Sequence, residues 1–214
     1  MTRGGNGRRG RGRAVIGTAL LWACVACGGA PVIPVAREPW PQAPVVLAWV
    51  GDAQAYRYRD GEWERAPAHD YTFSVVQRRY PGKWLAVKDL HRRHPDFPGG
   101  LSGRRDSTLY FELSYREAEP GHVTFAVSSS LGEGQGSTED GFQTSTVEIQ
   151  TPGRFAPFNV LRLRQRFDWP RGALAETVEL VKRAKAGEET PFMKFEETAR
   201  LLEPATRERP PEQP

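Results

Sequence analysis

Apolar residues recur at every second position along much of the chain. In TLYFELSYR (108–116), Leu109, Phe111, Leu113 and Tyr115 share one face, opposite Thr108, Tyr110, Glu112, Ser114 and Arg116. HVTFAVSS (122–129) places Val123, Phe125 and Val127 together, and NVLRLRQRF (159–167) sets Leu161, Leu163 and Phe167 against Arg162, Arg164 and Arg166. Further strands are expected at 45–50, 71–78 and 143–150. An extended chain points successive side chains to opposite faces, so these runs predict half-buried antiparallel strands. The sharpest local expectation is AYRYRDGEWER (55–65), whose Asp60-Gly61 suits a two-residue type I′ turn. That turn pairs Arg59 with Glu62, Tyr58 with Trp63 and Arg57 with Glu64. Opposite charges then share one hairpin face, with Tyr56, Tyr58 and Trp63 on the other.

Toward the C terminus the pattern changes. Over 173–186, Leu174, Val178 and Val181 form a stripe at helical spacing, with Glu176 and Glu179 early, Lys182, Arg183 and Lys185 late, and Gly187 just beyond. Acid first, base last and a terminal glycine suit a helix dipole and a C-cap. Thr190-Pro191 reads as the N-cap and first position of a second helix to about residue 202, with Phe192, Phe195, Ala199 and Leu202 inward. Strands followed by terminal helices predict a mainly β domain of the α+β kind. Its antiparallel sheet would be sandwich- or barrel-like, with the two C-terminal helices on one face or end. Residues 82–93 fit either a strand or a short helix. Residues 131–142, LGEGQGSTEDGF, read as a flexible acidic loop between two strands and meet no phosphate-cradle or calcium-loop pattern.

The first 13 residues, MTRGGNGRRGRGR, carry five arginines and no acid, and the uncharged run AVIGTALLWACVA (14–26) comes next. A basic segment before a short apolar one describes a secretory signal peptide. At ~1.5 Å per residue the run would reach about 20 Å as a helix, short of a ~30 Å hydrocarbon core. Val25-Ala26-Cys27-Gly28, which closes it, resembles the lipobox of bacterial lipoproteins: small residues, a cysteine, then a small residue. The resemblance covers only the first 28 residues. It implies a diacylglycerol on the Cys27 thiol, removal of residues 1–26 and a place in the cell envelope. Gly28 after that cysteine, where an aspartate would divert sorting, implies the outer membrane. Leu21-Trp22-Ala23-Cys24 is a competing match whose Trp22 stands where a small residue is usual. A redox or metal C-x-x-C is the other alternative, but no helix start beside a βαβ pattern accompanies the pair.

Composition changes meaning once the leader is set apart. The chain has 214 residues, with Lys+Arg 30 against Asp+Glu 26, a net charge of +4. The leader holds five of those basic residues and none of the acidic ones, so the remainder of the chain is close to neutral. A nucleic-acid partner would require a basic footprint on the domain, and none is expected. The expected organisation is a signal peptide over 1–26, a lipidated cysteine and proline-rich tether over 27–43, one β-rich domain over 44–203 and a disordered tail over 204–214.

Candidate chemistry concentrates in HRRHPDFPGGLSGRR (91–105). His91 and His94 would share a helical face with Asp89 or Asp96 as a metal site, but Pro95 ends any helix there, and no metal or other cofactor is expected. Arg92, Arg93, Arg104 and Arg105, with His91 and His94, form a candidate binding site for an anionic envelope ligand, against the alternative of a solvated polar loop. Hydrolase signatures such as G-x-S-x-G, S-x-x-K and H-E-x-x-H are absent, so no catalytic residue is assigned. A triad using Ser128, Ser129 or Ser130 could arise only in three dimensions. The sequence therefore reads as a non-enzymatic, lipid-anchored protein facing the periplasm or the exterior. Its role would be ligand binding or structural assembly, with an anionic envelope ligand or a protein as partner. Two further readings are a lipocalin-like carrier of an apolar ligand and a hydrolase of envelope material.

Overall fold

The computed structural model describes residues 45–99, 104–119, 122–138, 143–152, 157–202 and 206–207. The leader, Cys24, Cys27, the proline-rich stretch and the tail from 208 lie outside the described residues. Twelve strands account for most of the rest. The first half holds β1 (Val45–Arg59), β2 (Glu62–Arg65), β3 (Tyr71–Tyr80), β4 (Lys83–His91), β5 (Asp106–Glu119) and β6 (His122–Ser129). The second half holds β7 (Gly132–Thr138), β8 (Thr144–Gln150), β9 (Val160–Asp168), β10 (Ala173–Arg183), β11 (Glu189–Leu201) and the short β12 (Thr206–Arg207).

From β3 to β11 each strand pairs antiparallel with the next, β1 pairs with β3, and β11 returns to β1 from Trp49↔Leu201 to Arg57↔Met193. The result is a closed ten-stranded antiparallel barrel. Closure leaves none of those ten strands with a bare edge. β2 and β12 lie off the ring on the two ends of β1. The Asp60-Gly61 turn has the expected positive φ at both residues, 52° and 92°, and its pairs are Arg59↔Glu62, Tyr58↔Trp63 and Arg57↔Glu64. Tyr58 and Trp63 meet edge-on at 5.1 Å between ring centroids.

Alternation decides the core. Leu47, Trp49, Ala53 and Ala55 of β1, Phe73 and Val75 of β3, and Val123, Phe125 and Val127 of β6 all face inward and are buried. Across β9 the interior takes Leu161, Leu163 and Phe167, while Arg162 bonds outside to Glu148 and Glu189. One end of the barrel is filled by aromatics. Phe167 and Trp169 stack at 4.7 Å with their planes 5° apart, and Trp49 packs edge-on to Trp169 at 6.1 Å.

The two C-terminal helices do not form. Their residues are β10 and β11, and the described residues contain no α-helix. Leu174, Val178 and Leu180 do face the core, but so does Glu176 between them, and Glu197 likewise sits between Phe195 and Ala199. A buried carboxylate at an inward position hides the period-two pattern and leaves an apparent helical stripe. The charges thought to match a helix dipole instead find cross-strand partners: Arg183 pairs with Glu148 at 2.8 Å and with Glu189 at 2.7 Å. Gly187 (φ 90°) turns the β10–β11 hairpin, and Pro191 lies where the register shifts at Leu180/Val181, a bulge that tolerates a missing N–H.

Two other segments become regular. Residues 83–91 are the strand β4, and 132–138, expected in a loop, are the strand β7. Glycine explains β7: a Cβ at Gly136 would overlap the Phe125 ring, and one at Gly134 would lie 2.8 Å from the Ile149 Cα. Small residues there let neighbouring strands approach closely, an arrangement that tertiary packing selects and propensity disfavours.

Candidate functional site

The barrel interior carries a polar cluster on one wall. Lys88 comes from β4, Glu176 from β10, Glu197 from β11 and Tyr71 from β3, each at an inward position and each buried. Lys88 Nζ donates to Glu197 Oε2 and to Glu176 Oε2, the latter at 3.3 Å. The Tyr71 hydroxyl donates to Glu197 Oε1. Gln165 of β9 donates to Glu176 Oε1 at 3.2 Å, and the Ser145 hydroxyl of β8 donates to Gln165 Oε1 at 3.0 Å. Strands β3, β4, β8, β9, β10 and β11 thus meet in one hydrogen-bonded network.

Burial and mutual charge set the protonation of this cluster. Burial pushes the Glu197 carboxyl up, Lys88 pulls it down and Glu176 pushes it up again, leaving it at about 7. Burial alone would lower Lys88, but Glu176 and Glu197 outweigh it and hold its ammonium above the ordinary value. Burial and the neighbouring Glu197 raise the Tyr71 phenol, so it is a proton donor at any physiological pH. Unpaired charge in a low-dielectric interior is strongly unfavourable. A cation set between two carboxyl groups, one of them titrating near neutrality, resolves that cost by holding or releasing a proton.

Beside the cluster lies a cavity of about 100 Å³. Val75, Leu109, Phe111, Val127, Val147 and Leu163 make its apolar wall, and Lys88, Glu176, Glu197, Tyr71, Gln77 and Gln165 make the polar one. Binding sites for small molecules combine these two elements, an apolar chamber and a few convergent polar groups. At roughly two-thirds of an engineered ~150 Å³ cavity that holds benzene, it suits an apolar body of about four heavy atoms.

A second buried charge lies toward the aromatic end. The Arg79 guanidinium sits 3.7 Å from the Trp84 ring centroid and 4.7 Å from that of Trp169, with Nε and Nη2 unpartnered among the described residues. Burial lowers it to about 10, and the aromatic faces supply its compensation. Arg79 is part of the plug that closes this end.

The residues expected to bind a ligand are placed around the β4–β5 loop, where His91 and Arg93 come together on Asp106 and the others go separate ways. Arg93 pairs with Asp106 at 2.9 Å, and His91 Nδ1 lies 3.0 Å from the same carboxylate, both at the surface. Arg105 donates to the backbone oxygens of His94 (2.6 Å) and Pro95 (3.1 Å), so it binds its own loop. His94 Nδ1 accepts from the Asp96 amide, and Arg104 is exposed. Because residue 91 ends a strand, the helical face that would join His91 and His94 does not exist. Arg92 alone turns inward, half-buried, with its guanidinium 5.4 Å from the Tyr71 ring centroid. Ser128 donates to Glu133 and Ser129 to the Gly132 carbonyl, so these hydroxyls are engaged in the β6–β7 turn.

Sequence reasoning missed Lys88, Glu176, Glu197, Tyr71 and Gln165. The available signal was a charged residue at an inward position of an otherwise alternating run, as in WLAVKDL (84–90) and MKFEETA (193–199).

No family model matches the chain, and no curated protein matches it in sequence. Among solved structures it is similar to the crystal structure of Rv2717c from M. tuberculosis, at 14% identity and a TM-score of 0.43, over 76% of this chain and 91% of that one.

Proposed function

We propose that this protein binds a small, mainly apolar molecule with a polar head inside its barrel and does so while held at the cell envelope by a lipid on Cys27. The observation that carries the binding half is the internal cavity of about 100 Å³ with Lys88, Glu176 and Glu197 on one wall. A buried charged cluster is poorer for stability than well-packed apolar side chains of the same volume. Its position on the cavity wall gives it a second use: to select and orient a ligand's head group. This is the carrier reading of the sequence, with the ligand class narrowed by the cavity's size. The envelope half rests on the signal peptide and the lipobox resemblance.

Titration of the isotope-labelled protein with n-butanol, followed by NMR, tests the interior site. Saturable shifts are expected at Val147, Leu163 and Leu109, and they should vanish in Ala86→Leu, which fills the chamber from the β4 wall. Shifts confined to the outer faces of the strands would refute interior binding. Cys27→Ser should move the protein from the membrane fraction to the soluble fraction, and a variant that stays membrane-bound would refute the anchor.

A further inference from the structure

We infer that the head group this cavity selects is a hydrogen-bond-donating cation, a small amine or guanidine, bound against Glu176 and Glu197. This selectivity rests on the proposed interior binding and narrows it.

Acceptors outnumber donors on the polar wall. An ionised carboxylate offers about four lone-pair positions. Glu197 receives Tyr71 and Lys88, and Glu176 receives Lys88 and Gln165, so each retains about two open positions. Donors are scarcer. Two of the three ammonium protons of Lys88 serve the two carboxylates, and its Nζ lies 4.6 Å from the Phe73 ring centroid, where the third finds a π face. The Tyr71 proton is committed to Glu197. Gln165 keeps one further amide N–H, and Gln77, whose Oε1 accepts from Trp49, presents its own amide N–H groups, so the remaining donors of the wall are neutral amides and the open positions of the two carboxylates outnumber them.

Charge points the same way. The groups facing Glu197 are Lys88 from β4, Tyr71 from β3 and Glu176 from β10, with Gln165 of β9 bonded to Glu176 and the Arg92 guanidinium 5.4 Å from the Tyr71 ring centroid. With both glutamates ionised, the cluster holds two negative charges and one positive. A ligand carboxylate or phosphate would add a third negative charge in the interior. A ligand ammonium would complete two ion pairs.

In the unliganded barrel a proton does the same work, because Glu197 titrates at about 7. Uptake of the cation is then an exchange: the Glu197 carboxyl loses its proton to solvent, and the ligand ammonium takes that proton's place beside the carboxylate. No other bond forms or breaks.

The test uses three probes with one apolar body and different heads: n-butylamine, n-butanol and butyrate, titrated by NMR against the wild-type protein at pH 6 and pH 8. Butylamine stays cationic across this range. It should bind more tightly than butanol at pH 8, butyrate should bind most weakly, and the butylamine Kd should tighten about tenfold from pH 6 to pH 8 as Glu197 gives up its proton. Glu197→Gln should weaken butylamine at pH 8 and abolish the pH trend. If that variant does not fold, the wild-type comparison at the two pH values decides alone. Butyrate binding as tightly as butylamine, or a butylamine Kd unchanged with pH while butanol still binds, would overturn the cation inference and leave interior binding standing. Failure of all three probes would overturn both.

Discussion

Replacing Lys88 with methionine should cost the fold little at acid pH and much at alkaline pH. Methionine keeps the length and approximate volume of the side chain and deletes its charge, so packing around β4 is largely preserved. What remains is two buried carboxyls, Glu176 and Glu197, with the one cation that bonded to both now missing. Breaking a buried ion pair by removing one partner costs about 3–5 kcal/mol, a large part of a typical 5–15 kcal/mol domain stability. The sign of the pH dependence comes from Glu197. Lys88 is the main influence, ahead of the Tyr71 hydrogen bond, that pulls its carboxyl down to about 7 from the higher value that burial and Glu176 impose. Without Lys88 the folded value rises further above the 4.5 of an unperturbed glutamate. A carboxyl raised in the fold contributes stability that is complete below its unfolded value and lost as pH rises through its folded one.

The variant's deficit should therefore be about 3–5 kcal/mol at pH 8 and shrink to about 1–2 kcal/mol at pH 5, where Glu197 is neutral and keeps its hydrogen bond with Tyr71. Urea unfolding at the two pH values, with the slope checked for constancy between wild type and variant, measures both numbers. A deficit below about 1 kcal/mol at pH 8, or one equal at pH 5 and pH 8, would show that Lys88 does not neutralise this pair. The triple replacement Lys88→Met, Glu176→Leu and Glu197→Met should recover most of the loss, since an apolar trio of similar volume removes the charge altogether.

Tyr71→Phe should destabilise by about 1.5–3 kcal/mol, the range for a lost hydrogen bond to a buried charge, and should raise the pH at which Glu197 titrates, read by carboxyl NMR. Gly51→Ala should destabilise by about 3 kcal/mol or more in thermal or urea unfolding. Its new Cβ would overlap the Thr198 carbonyl oxygen of β11 and lie 2.8 Å from the Phe73 ring, at the seam where the barrel closes. Trp169→Ala should cost about 3–5 kcal/mol and diminish the near-UV circular dichroism of the aromatic plug, because its ring stacks on Phe167 and covers Arg79.

The interior site was hidden from sequence reading by the nature of its members. Burying Lys88, Glu176 or Glu197 singly is prohibitive, so each, met alone in a run, reads as an outward residue or a break in the pattern. Each becomes tolerable only because its partners arrive from far along the chain, 88 positions from Lys88 to Glu176 and 109 to Glu197. The visible cluster of arginines and histidines at 91–105 was legible as charge. Its destination was not: Arg93 and His91 meet Asp106, and Arg105 bonds the carbonyls of its own loop.

Local pattern was enough to assign the inward and outward faces of β5, β6 and β9, the existence of strands within β1, β3 and β8, and the register of the Asp60-Gly61 hairpin. Those depend on period-two alternation and on backbone conformations confined to a few residues. Three outcomes needed the assembled barrel: that 173–201 form the strands β10 and β11, that β11 returns to β1 to close the ring, and that the ring surrounds a charged cluster beside an apolar cavity. They belong to pairings between distant segments, which no local pattern carries. The closing ladder is also what brings Glu197 against Lys88 and Tyr71.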